Sequence, residues 1–145
     1  MISIIQRVTH AKVTVNGQTI GEIDTGIMAL LAVEKKDTEK EAERLLERIL
    51  NYRIFSDADD KMNLSLRDIR GGLLLVPQFT LAADTKSGNR PSFTPAATPE
   101  RGRRLFEYMQ HIAQSTYPNV AFGQFGADMQ VALVNNGPVT FTLSV

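Results

Sequence analysis

The chain has 145 residues, 43% of them hydrophobic and 22% charged, with Lys+Arg and Asp+Glu both totalling 16. Without bulk charge it cannot hold nucleic acid through a diffuse field, so any RNA partner needs a local patch. The lack of cysteine excludes disulfides, thiolate catalysis and Cys-ligated zinc, and His10 and His111 are too few for a histidine-rich metal site, so no metal or cofactor is expected.

The length predicts one domain over residues 1–145. The start, Met1-Ile2-Ser3-Ile4-Ile5-Gln6-Arg7, is too short an apolar run for a signal peptide, and no segment reaches transmembrane length. A soluble cytoplasmic protein is the expectation. Residues 2–33 read as β structure. Val13 and Val15 alternate with Lys12 and Thr14, Asn16-Gly17 offers a hairpin turn, and Thr19–Ile23 continues as a strand. The unbroken apolar run Ile27–Val33 has the length of a strand buried on both faces.

A helix follows. Thr38 and Glu41 make a capping-box pattern, and Ala42, Leu45, Leu46, Ile49 and Leu50 share one face. The charges on the opposite face, Glu39 to Arg48, read as a solvated surface. Ile54-Phe55 is a short strand candidate. The acidic stretch Ser56–Lys61 reads as a polar turn, because Met62 stands where a calcium loop needs Gly and no Glu closes it. Leu73–Val76 predicts a buried strand that Pro77 interrupts, which puts Gln78-Phe79-Thr80 at a strand end, bulge or edge. Those polar groups either form a site or satisfy neighbouring backbone. Residues 82–98 read as a long loop bearing Lys86 and Arg90. Thr98-Pro99-Glu100 starts a second helix, with Leu105, Phe106, Met109, Ile112 and Ala113 on its apolar face and an end before Tyr117-Pro118. Arg101, Arg103 and Arg104 cluster on its first turns.

Phe122 and Phe125 then lead into a last hairpin, with strands over Met129–Val134 and Val139–Val145 joined by Asn135-Asn136-Gly137-Pro138. Proline removes a donor, fixes one dihedral and admits a cis peptide. The link is either an ordinary tight turn or a place where bare backbone is presented to a ligand.

Chemistry is hard to locate from residue types alone. Thr80 is a nucleophile candidate, but a hydroxyl needs an activating base and Gln78 is not one. Asp84 and Asp128 are possible bases without a telling spacing. No Walker loop or GxSxG elbow is present.

Pro77-Gln78-Phe79-Thr80-Leu81 and Asn135-Asn136-Gly137-Pro138-Val139-Thr140 together resemble the SQFTL and N-x-GPVT motifs of D-aminoacyl-tRNA deacylases. The similarity runs nearly the full chain, through Gln6-Arg7-Val8-Thr9, Phe55-Ser56-Asp57 with Lys61-Met62-Asn63-Leu64, Arg90-Pro91-Ser92-Phe93 and Ala127-Asp128-Met129-Gln130. The resemblance implies an α/β fold of layered β-sheets with two main helices packed on them, assembled as a homodimer. It implies an ester hydrolase that releases D-amino acids, or glycine mischarged on tRNA(Ala), from tRNA, without a cofactor. It also implies that Gln78, Phe79 and Thr80 line the catalytic pocket, with the Phe79 and Thr80 amides as oxyanion donors. Gly137-Pro138, cis in the family, would reach into the partner's pocket and exclude L side chains sterically. Phe125 and Met129 match positions near the terminal adenosine. Pro77 stands where the family usually has Ser. Activity is expected to persist, because the adenosine 2′-hydroxyl can assist attack on the ester while the protein positions and polarises. Two other readings remain: a non-catalytic dimeric module that binds an RNA end or nucleotide, and a Thr80-dependent hydrolase of small D-amino-acid esters.

Overall fold

The alternation of side chains along two parallel strands sets the layers. Strand β3 (Gly26–Ala32) sends Ile27, Ala29 and Leu31 to one core and Met28 to another. In the computed structural model, which describes residues 1–145, the parallel neighbour β6 (Gly72–Pro77) does the same, with Leu73 and Leu75 on one side and Leu74 and Val76 on the other. A strand covered on both faces has no solvent side to mark with polar residues, which accounts for the unbroken apolar run.

The first core is closed by helices α1 (Glu39–Asn51) and α3 (Pro99–Thr116), which supply the predicted apolar faces. At the start of α1, the Thr38 amide and hydroxyl both donate to the Glu41 carboxylate, at 2.7 and 2.6 Å, and hold it below the usual carboxylate range. At the start of α3, Thr98 Oγ1 accepts from the Arg101 amide and Pro99 occupies the first turn. The helices are tied together by the Tyr108 hydroxyl, which donates to Glu43. That bond pushes the phenol up to about 12.

The second core is closed by strands β1 (Ile2–Val15) and β2 (Gln18–Ile23), with Val131 and Leu133 of β8 (Gln130–Ser144) packed against it. Strand β1 serves both cores. Met1 and Ile5 face the helices, whereas Val8, Ala11 and Val13 face the second core. The change of parity between Val8 and Ala11 coincides with a register shift against β8 between Val8 and His10, as an inserted residue requires. The sheet runs β2-β1-β3-β6-β7, the last being Val120–Phe122, with β8 also paired to β1. The result is the expected α/β arrangement of layered β structure with two main helices.

Three departures from the sequence expectations stand out. Val120–Phe122 forms a strand, β7, parallel to β6, where only a lead-in to a hairpin was expected. Leu66–Ile69 forms a one-turn helix, α2, capped by Ser65 and Asp68. The predicted C-terminal hairpin does not exist. Its two halves do not pair with each other: both pair with β1, Gln130–Asn135 against Val8–Thr14 and Thr140–Ser144 against Ile2–Gln6, in one antiparallel ladder. The polar turn after β4 (Phe55–Ser56) and before β5 (Met62–Leu64) is as expected. Asp57 accepts from the amides of Asp59 and Lys61 and from the Asn63 side chain, bonds that lower its pKa.

Ser3 is wholly buried between Leu31 and Leu143, and its Oγ has no hydrogen-bond partner. An unpaired buried hydroxyl costs roughly 1–3 kcal/mol. Ser3→Ala is therefore expected to raise the unfolding free energy by about 1 kcal/mol in urea titrations. A loss of stability on that substitution would mean that the hydroxyl is satisfied.

Candidate active site

The site begins where β6 loses one neighbour and keeps the other. Leu73 donates to the Asn119 carbonyl at 2.9 Å and Gly123 donates to the Leu75 carbonyl at 2.8 Å, so these residues bond towards β7. Pro77, next in that alternation, has no N–H to continue the ladder. Gln78, on the other alternation, still donates to the Leu31 carbonyl of β3 at 2.6 Å. The chain then winds into a 3-10 turn, Phe79–Ala82, closed by bonds from Leu81 to Gln78 and from Ala83 to Thr80. The amides of Phe79 and Thr80 precede the first donor of that turn and have no acceptor inside it. The Gln78 side-chain amide donates to Thr80 Oγ1. The threonine oxygen thus meets an amide donor rather than a base.

Beside this turn lies a cavity of about 470 Å³. Pro77, Gln78 and Phe79 form one wall, and Phe125 and Met129 form another. Phe125 is packed between Phe106, with ring centroids 6.5 Å apart, and the Arg103 guanidinium, 5.0 Å from its ring centre. Gly102 of α3 makes room for it: a Cβ there would sit 3.3 Å from the ring. Met1 completes the lining. Its α-ammonium, almost wholly buried, pairs with Asp37 at 2.7 Å, and the Asp37 carbonyl accepts from Arg101. One of the clustered arginines is therefore committed to the wall rather than to solvent, and a second caps Phe125.

The cavity thus brings together Gln78, Phe79, Phe125 and Met129. Thr80 is exposed next to it. Gly137 and Pro138 do not line it. They stand in a bulge of β8, where Asn136–Val139 face the single residue Arg7 of β1 between the pairs Gln6–Thr140 and Val8–Asn135. The Gly137-Pro138 peptide is cis. Three features build the bulge. Asn135 staples its neck, accepting from the Val139 amide and donating to Thr140 Oγ1, both at 2.7 Å. Arg7 donates to the Asn136 carbonyl at 2.9 Å and to the Ile54 carbonyl at 2.8 Å. Gly137 has φ +139°, where an L side chain is strained, and a Cβ would meet Val139 Cγ2 at 2.7 Å.

Sequence reasoning missed Arg7, Gly102 and Met1. A glycine inside a strong helical pattern was the one usable signal, since it costs about 1 kcal/mol against alanine and needs a packing reason. Arg7 lies in the matched stretch Gln6–Thr9, but nothing local gives it or Met1 this role.

These walls define an α/β protein with a largely apolar strand-end cavity beside backbone amides free of the turn's own bonding. A family model described as D-Tyr-tRNA(Tyr) deacylase matches residues 4–144. The curated D-aminoacyl-tRNA deacylase of Janthinobacterium sp. (strain Marseille) is 61% identical over 100% of this chain and 97% of its own. That of Pseudomonas entomophila (strain L48) is 59% identical, with 100% of each chain covered. Among solved structures, a c-Myc DNA unwinding element binding protein superposes with a TM-score of 0.95 at 38% identity, over 100% of this chain and 99% of its own. A probable eukaryotic D-amino acid tRNA deacylase gives 0.86 at 16% identity, over 99% and 98%, and shares the fold. The chain belongs to the D-aminoacyl-tRNA deacylase family, hydrolases acting on aminoacyl-tRNA.

Arg7→Met removes the clamp on the bulge while leaving the ladder on either side. The expected result is a folded protein, within about 2 kcal/mol of the wild type, with faster amide exchange at Asn136, Gly137 and Val139. Unchanged protection there would mean that the Asn135 staple alone holds the segment.

Proposed function

We propose that this chain hydrolyses the ester between a D-amino acid and the terminal adenosine of tRNA, releasing free tRNA and the D-amino acid. The observation that carries the reading is the turn at Gln78–Thr80. It opens on an apolar cavity with two backbone amides free of the turn's own bonding, and it has no ionisable base on its hydroxyl. Such a site polarises a carbonyl rather than supplying a nucleophile.

The reacting ester carbon sits against the turn. Water adds to it, and the negative charge that develops on the carbonyl oxygen is taken by the amides of Phe79 and Thr80. The adenosine 2′-hydroxyl, next to the ester, assists the attack. The C–O bond to the ribose then breaks, the ribose oxygen takes up one proton of the attacking water, and the amino acid leaves as a carboxylate with the second proton released to solvent. Gln78 orients Thr80, and Phe125 and Met129 hold the adenosine base, with Phe125 backed by Arg103. Enantiomer choice is supplied by a second copy: in a homodimer, Gly137-Pro138 of each chain enters the other's cavity. Bare backbone there closes around the α-carbon and leaves an L side chain no room, so a D residue or glycine is accepted, including glycine mischarged on tRNA(Ala). The exposed position of the bulge, outside its own chain's cavity, supports that arrangement. Pro77 is tolerated because the amide that it lacks faces the end of β7. A cytoplasmic location follows from the substrate.

The test is release of amino acid from D-tyrosyl-tRNA and L-tyrosyl-tRNA under identical conditions. Loss of the D ester alone is expected. Binding of tRNA without turnover would favour a non-catalytic module, and equal loss of both esters would remove the role given to Gly137-Pro138. Thr80→Ala is expected to keep kcat within about tenfold of the wild type, since removing a nucleophile costs several orders of magnitude and removing a supporting contact does not. A trapped acyl-enzyme would overturn that assignment.

A further inference from the structure

Phe79 and Phe93 are among the few large apolar side chains left open to solvent, at 57% and 43% exposed. Their rings lie 5.2 Å apart, tilted by 50°. Phe79 also lines the cavity, so the pair forms a step at its rim. The loop that carries Phe93 is fixed in advance. Asp84 and Ser92 exchange backbone hydrogen bonds of 2.7 and 3.0 Å, the Phe93 carbonyl accepts from Ala96 at 3.0 Å, and the hydroxyls of Ser92 and Thr94 are 3.0 Å apart. Between the bridged residues stand Lys86 and Arg90, both exposed and neither in a salt bridge. The one carboxylate of this segment, Asp84, is turned onto the Lys86 amide at 3.0 Å.

We propose that the Phe79–Phe93 step is a stacking shelf for the nucleotide immediately 5′ of the esterified adenosine, with Lys86 and Arg90 facing the adjoining phosphates. The inference rests on the deacylase reading and names where the RNA runs once it leaves the cavity. A cavity of about 470 Å³ fits a small ligand, so the preceding nucleotide of a polynucleotide substrate must leave at the rim. An exposed aromatic face continuous with that rim offers any base a partner without reading its edges, and free cations on the same loop suit a single-stranded backbone. The chain's net charge is zero, so this local patch has to supply the attraction that the surface as a whole does not.

The test compares two substrates that differ only in the polynucleotide: D-tyrosyl-tRNA and the single-nucleoside ester D-tyrosyl-adenosine. Phe93→Ala is expected to raise KM for the tRNA about tenfold at nearly unchanged kcat, the loss of one stacked base, and to leave the nucleoside ester unaffected. Phe93→Leu, which keeps the apolar bulk without a flat ring, should behave as Ala does, and Phe93→Tyr as the wild type. Filter binding of uncharged tRNA needs no turnover and should show the same tenfold weakening for Phe93→Ala. It separates failure of the shelf from failure of the deacylase reading. Full rescue by Leu, equal losses on both substrates, unchanged tRNA binding, or a changed sedimentation coefficient marking Phe93 as a contact between copies would each overturn the proposal.

Discussion

The backbone bond from Gln78 to Leu31 is the constraint on which the cavity depends. Parallel strands alternate the side to which each residue's amide points, so β6 can lose its partner on one side and keep it on the other. Pro77 ends the β7 ladder, while Gln78 one residue later remains anchored to β3. The 3-10 turn therefore starts from a fixed point, and its leading amides are aimed by the sheet rather than by loop packing. A site whose polar groups belong to the backbone needs that kind of anchor, because no side-chain rotamer can correct an error of aim.

Strand β8 solves a different problem with the same means. A segment that presents bare backbone at a defined place must leave a ladder and rejoin it. Asn136–Val139 do so opposite a single residue of β1, with Thr140–Ser144 resuming the pairing beyond it. The gap is bridged by side-chain atoms: Asn135 takes over bonds at the neck, and Arg7 reaches across to the Asn136 carbonyl. Because Arg7 also holds the Ile54 carbonyl, the bulge is referenced to the rest of the chain and not only to its own strand.

The cavity has little electrostatic machinery of its own. Tyr108, pushed up by its bond to Glu43, and the lowered capping carboxylates Glu41 and Asp68 belong to helix contacts and helix starts outside it. What surrounds the ligand space is apolar packing, aromatic at Phe79, Phe106 and Phe125, with charge held behind it by Arg103 on the Phe125 ring and by the Met1–Asp37 pair. That division supports the proposed reading, in which the substrate is already activated as an ester and the protein places it and stabilises one developing charge.

Much of this was legible in the amino-acid sequence, and for local reasons. The apolar run Ile27–Val33, the Thr38–Glu41 and Thr98-Pro99 helix starts, and the break at Pro77 depend on neighbours within a few residues, where periodicity, capping and a missing donor act directly. The two motifs that carry the family resemblance lie in such short stretches as well. How Asn135–Pro138 is built was not legible, because Asn-Gly flanked by two alternating strands satisfies the local rules for a hairpin. Only the competing edge of β1, more than a hundred residues away in the chain, turned those strands into a single ladder and the expected turn into a bulge. The same holds for Arg7, for Met1 in the cavity wall and for the meeting of Phe79 with Phe93. Their roles arise from contacts between distant segments, which leave no periodic or compositional trace in the sequence around them.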